Sequence, residues 1–141
     1  MSARGRMDPE MLSMVLETIA KLERERLPLD TKLEMDRKGD FPMELIRFML
    51  SPEIALHLIF IPEEFGGLGA GTSDIAIISE RMAKMDLAVA TSFLAICLGM
   101  DPIMVGARPE QKETYVGKIA EQGLIVETPK SSLKRKKAKS T

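Results

Sequence analysis

Few residues in this 141-residue chain could do chemistry. There is one His and one Cys, so no multi-His metal site, CxxC metal site or disulfide framework can be built. His57 lies in an apolar stretch with no second His or Cys beside it. A partly buried structural side chain is expected there. Cys97 sits in the most apolar segment, with no His or Lys near it in sequence to favour the thiolate. It is expected to be a small core residue. Glu63-Glu64 is a carboxylate pair, but neighbours in a Pro/Gly loop are expected to be solvated, and acid–base work needs a cleft. Gly66-Gly67-Leu68-Gly69-Ala70-Gly71 holds four glycines in six residues, which cannot be helix interior. A phosphate cradle would want a preceding strand, a Lys-Ser/Thr ending or GxGxxG spacing; position 72 is Thr. A tight loop is the expectation.

Composition narrows the function classes further. Hydrophobic residues are 45% and charged ones 29%, enough for a packed core. Aromatics are only 4% and Trp is absent, which argues against a nucleic-acid stacking platform. The net charge of −1 hides an asymmetry. Six of the 20 bases (Lys130, Lys134, Arg135, Lys136, Lys137, Lys139) follow Pro129, and no acid follows Glu127. Residues 1–129 therefore hold 14 bases against 21 acids, a net −7. Such a body is a poor nucleic-acid binder. Basic Met1–Arg6 is followed by acids and a helical pattern, so no signal peptide is expected. Apolar stretches such as Leu87–Leu98 fall short of the roughly 20 residues of a membrane span. A cytoplasmic, reducing compartment is expected.

The elements that must position these residues are helical. Asp8-Pro9-Glu10 reads as cap, first helical residue and dipole partner, with Leu12, Val15, Leu16, Ile19 and Leu22 at helical spacing to about residue 26. Residues 28–42 read as a connection with at most a short helical stretch. Asp40-Phe41-Pro42 starts a helix with Leu45, Ile46, Met49 and Leu50 on one face, and Ser51-Pro52-Glu53 starts another short one. Thr72-Ser73-Asp74 is expected to cap a helix lined by Ile75, Ile78, Met82 and Met85. Asp86 caps Leu87–Leu98, apolar nearly all round and so expected to be buried on most sides, with Gly99 as its stop. Asp101-Pro102 opens a short turn. Pro109 opens a last helix to about Gln122, with Tyr115, Val116, Ile119 and Ala120 inward and Gly123 in the left-handed position. The fold class is all-α, a bundle of about six helices over residues 1–126. Residues 127–141 read as a disordered basic tail.

Four segments, in order, resemble the acyl-CoA dehydrogenase family. Ile61-Pro62-Glu63-Glu64-Phe65-Gly66-Gly67-Leu68-Gly69 resembles its Pro-Glu-Glu-Tyr/Phe-Gly-Gly-x-Gly loop. Glu80, Ala83 and Asp86 are similar to its Glu-x-x-Ala-x-x-Asp pattern, which in the family continues with x-x-x-Ala. Leu98-Gly99-x-x-Pro102-Ile103 and Glu110-Gln111-Lys112-x-x-Tyr115 match the two stretches that follow. The resemblance covers roughly residues 7–126 and implies the N-terminal all-α domain.

By resemblance, the whole enzyme performs α,β-dehydrogenation of an acyl-CoA thioester with FAD. An antiparallel β domain holds most of the flavin, and a C-terminal helical domain supplies a catalytic Glu. Here Glu127-Thr128-Pro129 stands at the entry to the β domain, and neither later domain follows. A frameshift or premature stop after Val126 would leave this pattern; the nucleotide sequence at that codon decides it. No catalytic or cofactor-binding residue is assigned to this chain, and by itself it is expected to bind no FAD. The resemblance implies that Ala90, Thr91, Leu94, Ala95 and Leu98 wall the acyl-chain cavity. In the isolated domain the same five residues read as bundle core. With the family's partner domains absent, an apolar face should remain exposed, on Leu87–Leu98 or on the Ile75/Ile78/Met82 face. Three functions stay open: a truncated, inactive dehydrogenase-like chain, a helical subunit completing a separate flavoprotein, or a non-enzymatic helical module whose tail meets a polyanion. The partners implied are acyl-CoA and the missing domains, or a homo-oligomer.

Overall fold

The computed structural model describes residues 6–123. The expected tail lies outside them. Six α-helices follow in order: α1 Pro9–Arg26, α2 Leu29–Lys38, α3 Met43–Leu50, α4 Thr72–Met85, α5 Leu87–Gly106 and α6 Pro109–Gln122. Two 3₁₀ turns, Leu56–Phe60 and Glu63–Phe65, fill the space between α3 and α4. No strand occurs among the described residues. The all-α expectation therefore holds.

The core forms where α1, α4, α5 and α6 meet around the first 3₁₀ turn. Ile19, Ile59, Ile61, Ile78, Met82, Val89, Met100 and Val116 are sealed inside it. Phe60 and Phe93 meet with ring centroids 4.5 Å apart, tilted by 47°. Such a pair adds geometric specificity to simple burial.

Capping follows the sequence at α1, where the Asp8 carboxylate accepts from the Glu10 and Met11 N–H groups at 2.8 and 3.4 Å. At α4 the arrangement differs from the expected Thr72 start. Gly71 is the capping residue, and Asp74 in the first turn reaches back to accept the Gly71 N–H at 3.2 Å. The same oxygen accepts the Met7 N–H at 2.7 Å. Asp74 is buried, and it staples the segment leading into α1 onto the start of α4.

Three other expectations are corrected. Residues 29–38, read as a connection, form a full helix. None of its residues is fully buried, and Leu29 and Leu33 face solvent, so the usual amphipathic signal is absent. It is held by its ends. Gly39 closes it in the left-handed conformation (φ 66°), and Lys32 donates to Glu23 of α1 at 2.6 Å. Second, α5 does not stop at Gly99. Met100 is buried and Ile103 and Met104 pack on the core, so tertiary contacts carry the helix through Gly99 and Pro102. That packing outweighs a local cost of about 1 kcal/mol for Gly and about 3 kcal/mol for Pro. Third, Tyr115 of α6 points to solvent, while Val116 and Ile119 are buried.

Glu23 also accepts from Arg81 of α4 at 2.7 Å, so one carboxylate ties α1, α2 and α4. The hydrogen bond from Lys32, then that from Arg81, hold its carboxyl below the ordinary 4.5. A lowered folded pKa stabilises above the unfolded value and is lost as pH falls through the folded one. Unfolding free energy should therefore fall as pH drops below about 4.5, and Glu23→Gln should flatten that part of the acid limb. An unchanged limb in denaturant titrations would contradict the network.

Asp74→Ala should cost about 2–4 kcal/mol, because it strands two N–H groups in a dry site. Asp74→Asn keeps an acceptor and should recover much of that loss. Equal urea midpoints for wild type and Asp74→Ala would refute the staple.

Candidate functional site

The glycine loop is explained by local geometry. Residues 67–70 fold back on the first 3₁₀ turn: the Leu68 N–H donates to the Leu58 carbonyl at 2.7 Å, Gly69 to Ile61 at 2.8 Å and Ala70 to Ile59 at 3.0 Å. A Cβ at Gly67 would overlap the Ile61 carbonyl. Gly69 has φ 60°. These glycines permit close backbone approach, and their N–H groups are used within the chain. Glu63 and Glu64 are exposed on this loop, as expected.

His57 is fully buried rather than partly so. Its Nε2–H donates to the Ala120 carbonyl at 3.0 Å, which fastens the end of α6 to the first 3₁₀ turn. Cys97 is half-buried and packs against the core. Among the described residues, no group of three His, Cys, Asp or Glu side chains could hold a metal. On the surface, a hydrogen bond from Lys84 holds the carboxyl of exposed Glu80 below its ordinary value.

A cleft of about 480 Å³ opens between α1, α2 and α3. Leu27, Met35 and Phe48 line it, Arg26 and Asp40 stand among its polar groups, and the Arg26 guanidinium lies 4.4 Å from the Phe48 ring centre. None of the predicted site residues lines it. The N–H groups of Gly66, Gly67 and Gly69 are taken up by the loop's own backbone, and Arg26, Asp40 and Glu44 are the charged groups at the cleft.

The candidate site is instead the outer face of α5. Asp86 caps the helix by accepting the Val89 N–H at 3.0 Å. Val89, Ala90, Phe93, Ile96 and Met100 form its buried face. Opposite them run Leu87 (71% exposed), Leu94 (36%), Leu98 (69%) and Val105 (84%). Thr91 and Ala95 are exposed between them. No charged residue occurs from Leu87 to Met100. The Thr91 hydroxyl donates to its own helix, at the Leu87 carbonyl, 2.8 Å away. The result is an apolar ridge on a protein surface.

The five predicted wall residues thus divide. Thr91, Leu94, Ala95 and Leu98 share the exposed ridge, and Ala90 is buried in the bundle. The expectation that all five are core in this chain is corrected, as is that of a helix enclosed on most sides. Among the described residues, α3, α4, α6 and the first 3₁₀ turn pack against the inner side of α5. The other proposed exposed face, Ile75/Ile78/Met82, is closed: Ile78 and Met82 are buried. Leu87 and Val105 extend the ridge beyond the predicted residues. Their spacing was legible, but the expected break at Gly99 concealed the continuity. That break also concealed a helix long and apolar enough, by length and composition, to cross a bilayer. Its inner face, Val89, Ala90, Phe93, Ile96 and Met100, packs in the bundle.

Comparison with known proteins agrees with this architecture. The family described as acyl-CoA dehydrogenase, N-terminal domain, matches residues 9–123. The chain is 33% identical over 116 residues to an acryloyl-CoA reductase (NADH) of Anaerotignum propionicum, covering 82% of this chain and 28% of that protein. It is 32% identical over 107 residues to a mitochondrial 2-methylacyl-CoA dehydrogenase of Solanum tuberosum, covering 73% and 25%. The chain spans about a quarter of the length of these curated relatives. With its six helices, glycine loop and matched span, the chain belongs to the acyl-CoA dehydrogenase family and carries that family's N-terminal domain.

Proposed function

We propose that this chain supplies the N-terminal helical wall of an acyl-CoA dehydrogenase-type site, with the acyl chain lying along Thr91, Leu94, Ala95 and Leu98. The observation that carries this reading is the uncharged, solvent-facing stretch of α5 from Leu87 to Leu98. Alkyl carbons laid against it leave water at about 0.8 kcal/mol per fully buried CH₂. A single wall covers only part of the chain, so the gain per CH₂ is smaller. Ala90 acts from behind the ridge by packing and takes no part in contact.

FAD, in the flavin-binding part of such an enzyme, supplies the hydride acceptor. The residues of this chain bind and shield an acyl tail, and they do so equally in ground state and transition state. That kind of binding lowers KM and does not accelerate a chemical step. We therefore assign no catalytic or cofactor-binding residue here. A second reading, a helical subunit that completes a separate flavoprotein chain, is favoured by the same uncovered ridge. Co-purification of a flavin-bearing partner would select it.

Two outcomes are expected for the purified chain. With FAD supplied, it should not reduce an electron-acceptor dye with butyryl- to palmitoyl-CoA; clear protein-dependent reduction would overturn the assignment. Calorimetric affinity should be weak, about 4 kcal/mol or millimolar, and should rise with acyl length. Leu98→Asp should abolish the length dependence. Affinity that ignores chain length, or survives Leu98→Asp, would contradict the wall.

A further inference from the structure

The cleft between α1, α2 and α3 and the basic run after Pro129 are both left unused by the acyl-chain wall. The cleft holds about 480 Å³. Leu27, Met35 and Phe48 give it an apolar floor, and Phe41 (52% exposed) and Met43 (38%) stand at its mouth. Asp40 and Glu44 are exposed on its rim, and neither is ion-paired among the described residues. Arg26 is the only base among its lining residues, and it lies over the Phe48 ring. The rim is therefore net negative above an apolar floor. An occupant that fits carries positive charge on both sides of an apolar group.

The C-terminal segment of the same chain has that pattern. Lys130 and Lys134 flank Leu133, the one large apolar residue after Val126, and Arg135, Lys136, Lys137 and Lys139 follow with no acid among them. The described residues end at Gly123, which lies against the end of α3: a Cβ there would overlap the Leu50 carbonyl. α3 is itself a wall of the cleft. Back from Leu50 to Glu44 is six residues of helix, about 9 Å. The ten residues from Gly123 to Leu133 can span up to about 35 Å, so reach is ample. We propose that residues 130–139 lie across this cleft, with Leu133 on the floor and the bases on either side of it facing Asp40 and Glu44. Single exposed ion pairs are weak. The tether makes this contact intramolecular, at an effective concentration of about millimolar. The body, net −7 over residues 1–129, adds a long-range pull on the same bases. A polyanion or high salt competes for them and opens the contact. The inference is independent of the acyl-CoA reading, because the cleft and α5 share no residue.

The test is paramagnetic broadening in the full chain. A nitroxide is attached through Ser132→Cys in a Cys97→Ser background, and amide signals of the isotope-labelled chain are recorded at two salt concentrations. In about 20 mM salt the signals of Asp40, Phe41, Glu44 and Phe48 should lose intensity, and in about 0.5 M salt they should regain it, since screening then acts within about 4 Å. The double substitution Asp40→Asn, Glu44→Gln should abolish the broadening and leave the circular dichroism unchanged, because both side chains are exposed. Leu133→Ser keeps every charge and should shrink the broadening several-fold. Isotope-labelled chains without nitroxide, mixed with unlabelled chains that carry it, should show none. Broadening in that mixture would place the segment on a neighbouring molecule and overturn the inference. So would broadening centred elsewhere, such as on the Glu63-Glu64 loop, broadening that the substitutions leave intact, or none at low salt.

Discussion

Helix α5 has to serve two environments with one set of side chains, and the rest of the molecule is arranged around that constraint. Its inner face, Val89, Phe93, Ile96 and Met100, is the spine against which α4, α6 and the first 3₁₀ turn close. Its outer face is apolar from Leu87 to Leu98 and, among the described residues, is exposed. Burial of the inner face is worth about 1.5–3 kcal/mol per large side chain, so the position of the helix is fixed by the inside alone. The outer ridge is then held rigidly in place by packing it does not itself contribute. This is why local stop signals at Gly99 and Pro102 do not end the helix.

The polar elements of the bundle secure the same helix indirectly. Asp74 pins the chain entering α1 to α4, and Glu23 couples α1, α2 and α4. α4 in turn makes the most extensive packing in the bundle, against α5. His57 fastens the last turn of α6 to the 3₁₀ segment under the core. Asp74, Glu23 and the Nε2–H of His57 thus have partners within the fold, while the buried Nδ1 of His57 has no hydrogen-bond partner among the described residues. In the function proposed above, the contribution of the chain is apolar contact along α5.

The fold was legible wherever a helix buries a stripe. α1, α3, α4 and α6 follow their apolar spacing and their Asp, Pro and Gly punctuation. α2 was illegible because it buries almost nothing; its order comes from Gly39 and from an ion pair to a residue nine positions away. The end of α5 was misplaced because Gly99 and Asp101-Pro102 are strong local signals, and burial of Met100 is a tertiary fact that no window of sequence contains. Tyr115 was placed inward because its neighbour Val116 is, and one residue is 100° around the helix. The ridge itself was half legible. Residues 91, 94, 95 and 98 could be placed on one face, but which side of α5 the bundle would cover depends on where α4 and α6 pack. Asp74 was read as part of a cap, and its bond to Met7, 67 residues away, had no sequence signal.

The most direct measurement is thiol accessibility along α5 in a Cys97→Ser background, at concentrations low enough to keep the chain monomeric. Cysteines placed one at a time at 87, 90, 94, 96 and 98 would be timed against a small alkylating reagent. The account predicts that positions 87 and 98 react almost as fast as an unfolded thiol, that 94 is intermediate, and that 90 and 96 are protected roughly a hundredfold or more. Equal protection at 96 and 98 would mean that something in this chain covers the ridge, and the central claim of an uncovered apolar face on a rigid helix would fail.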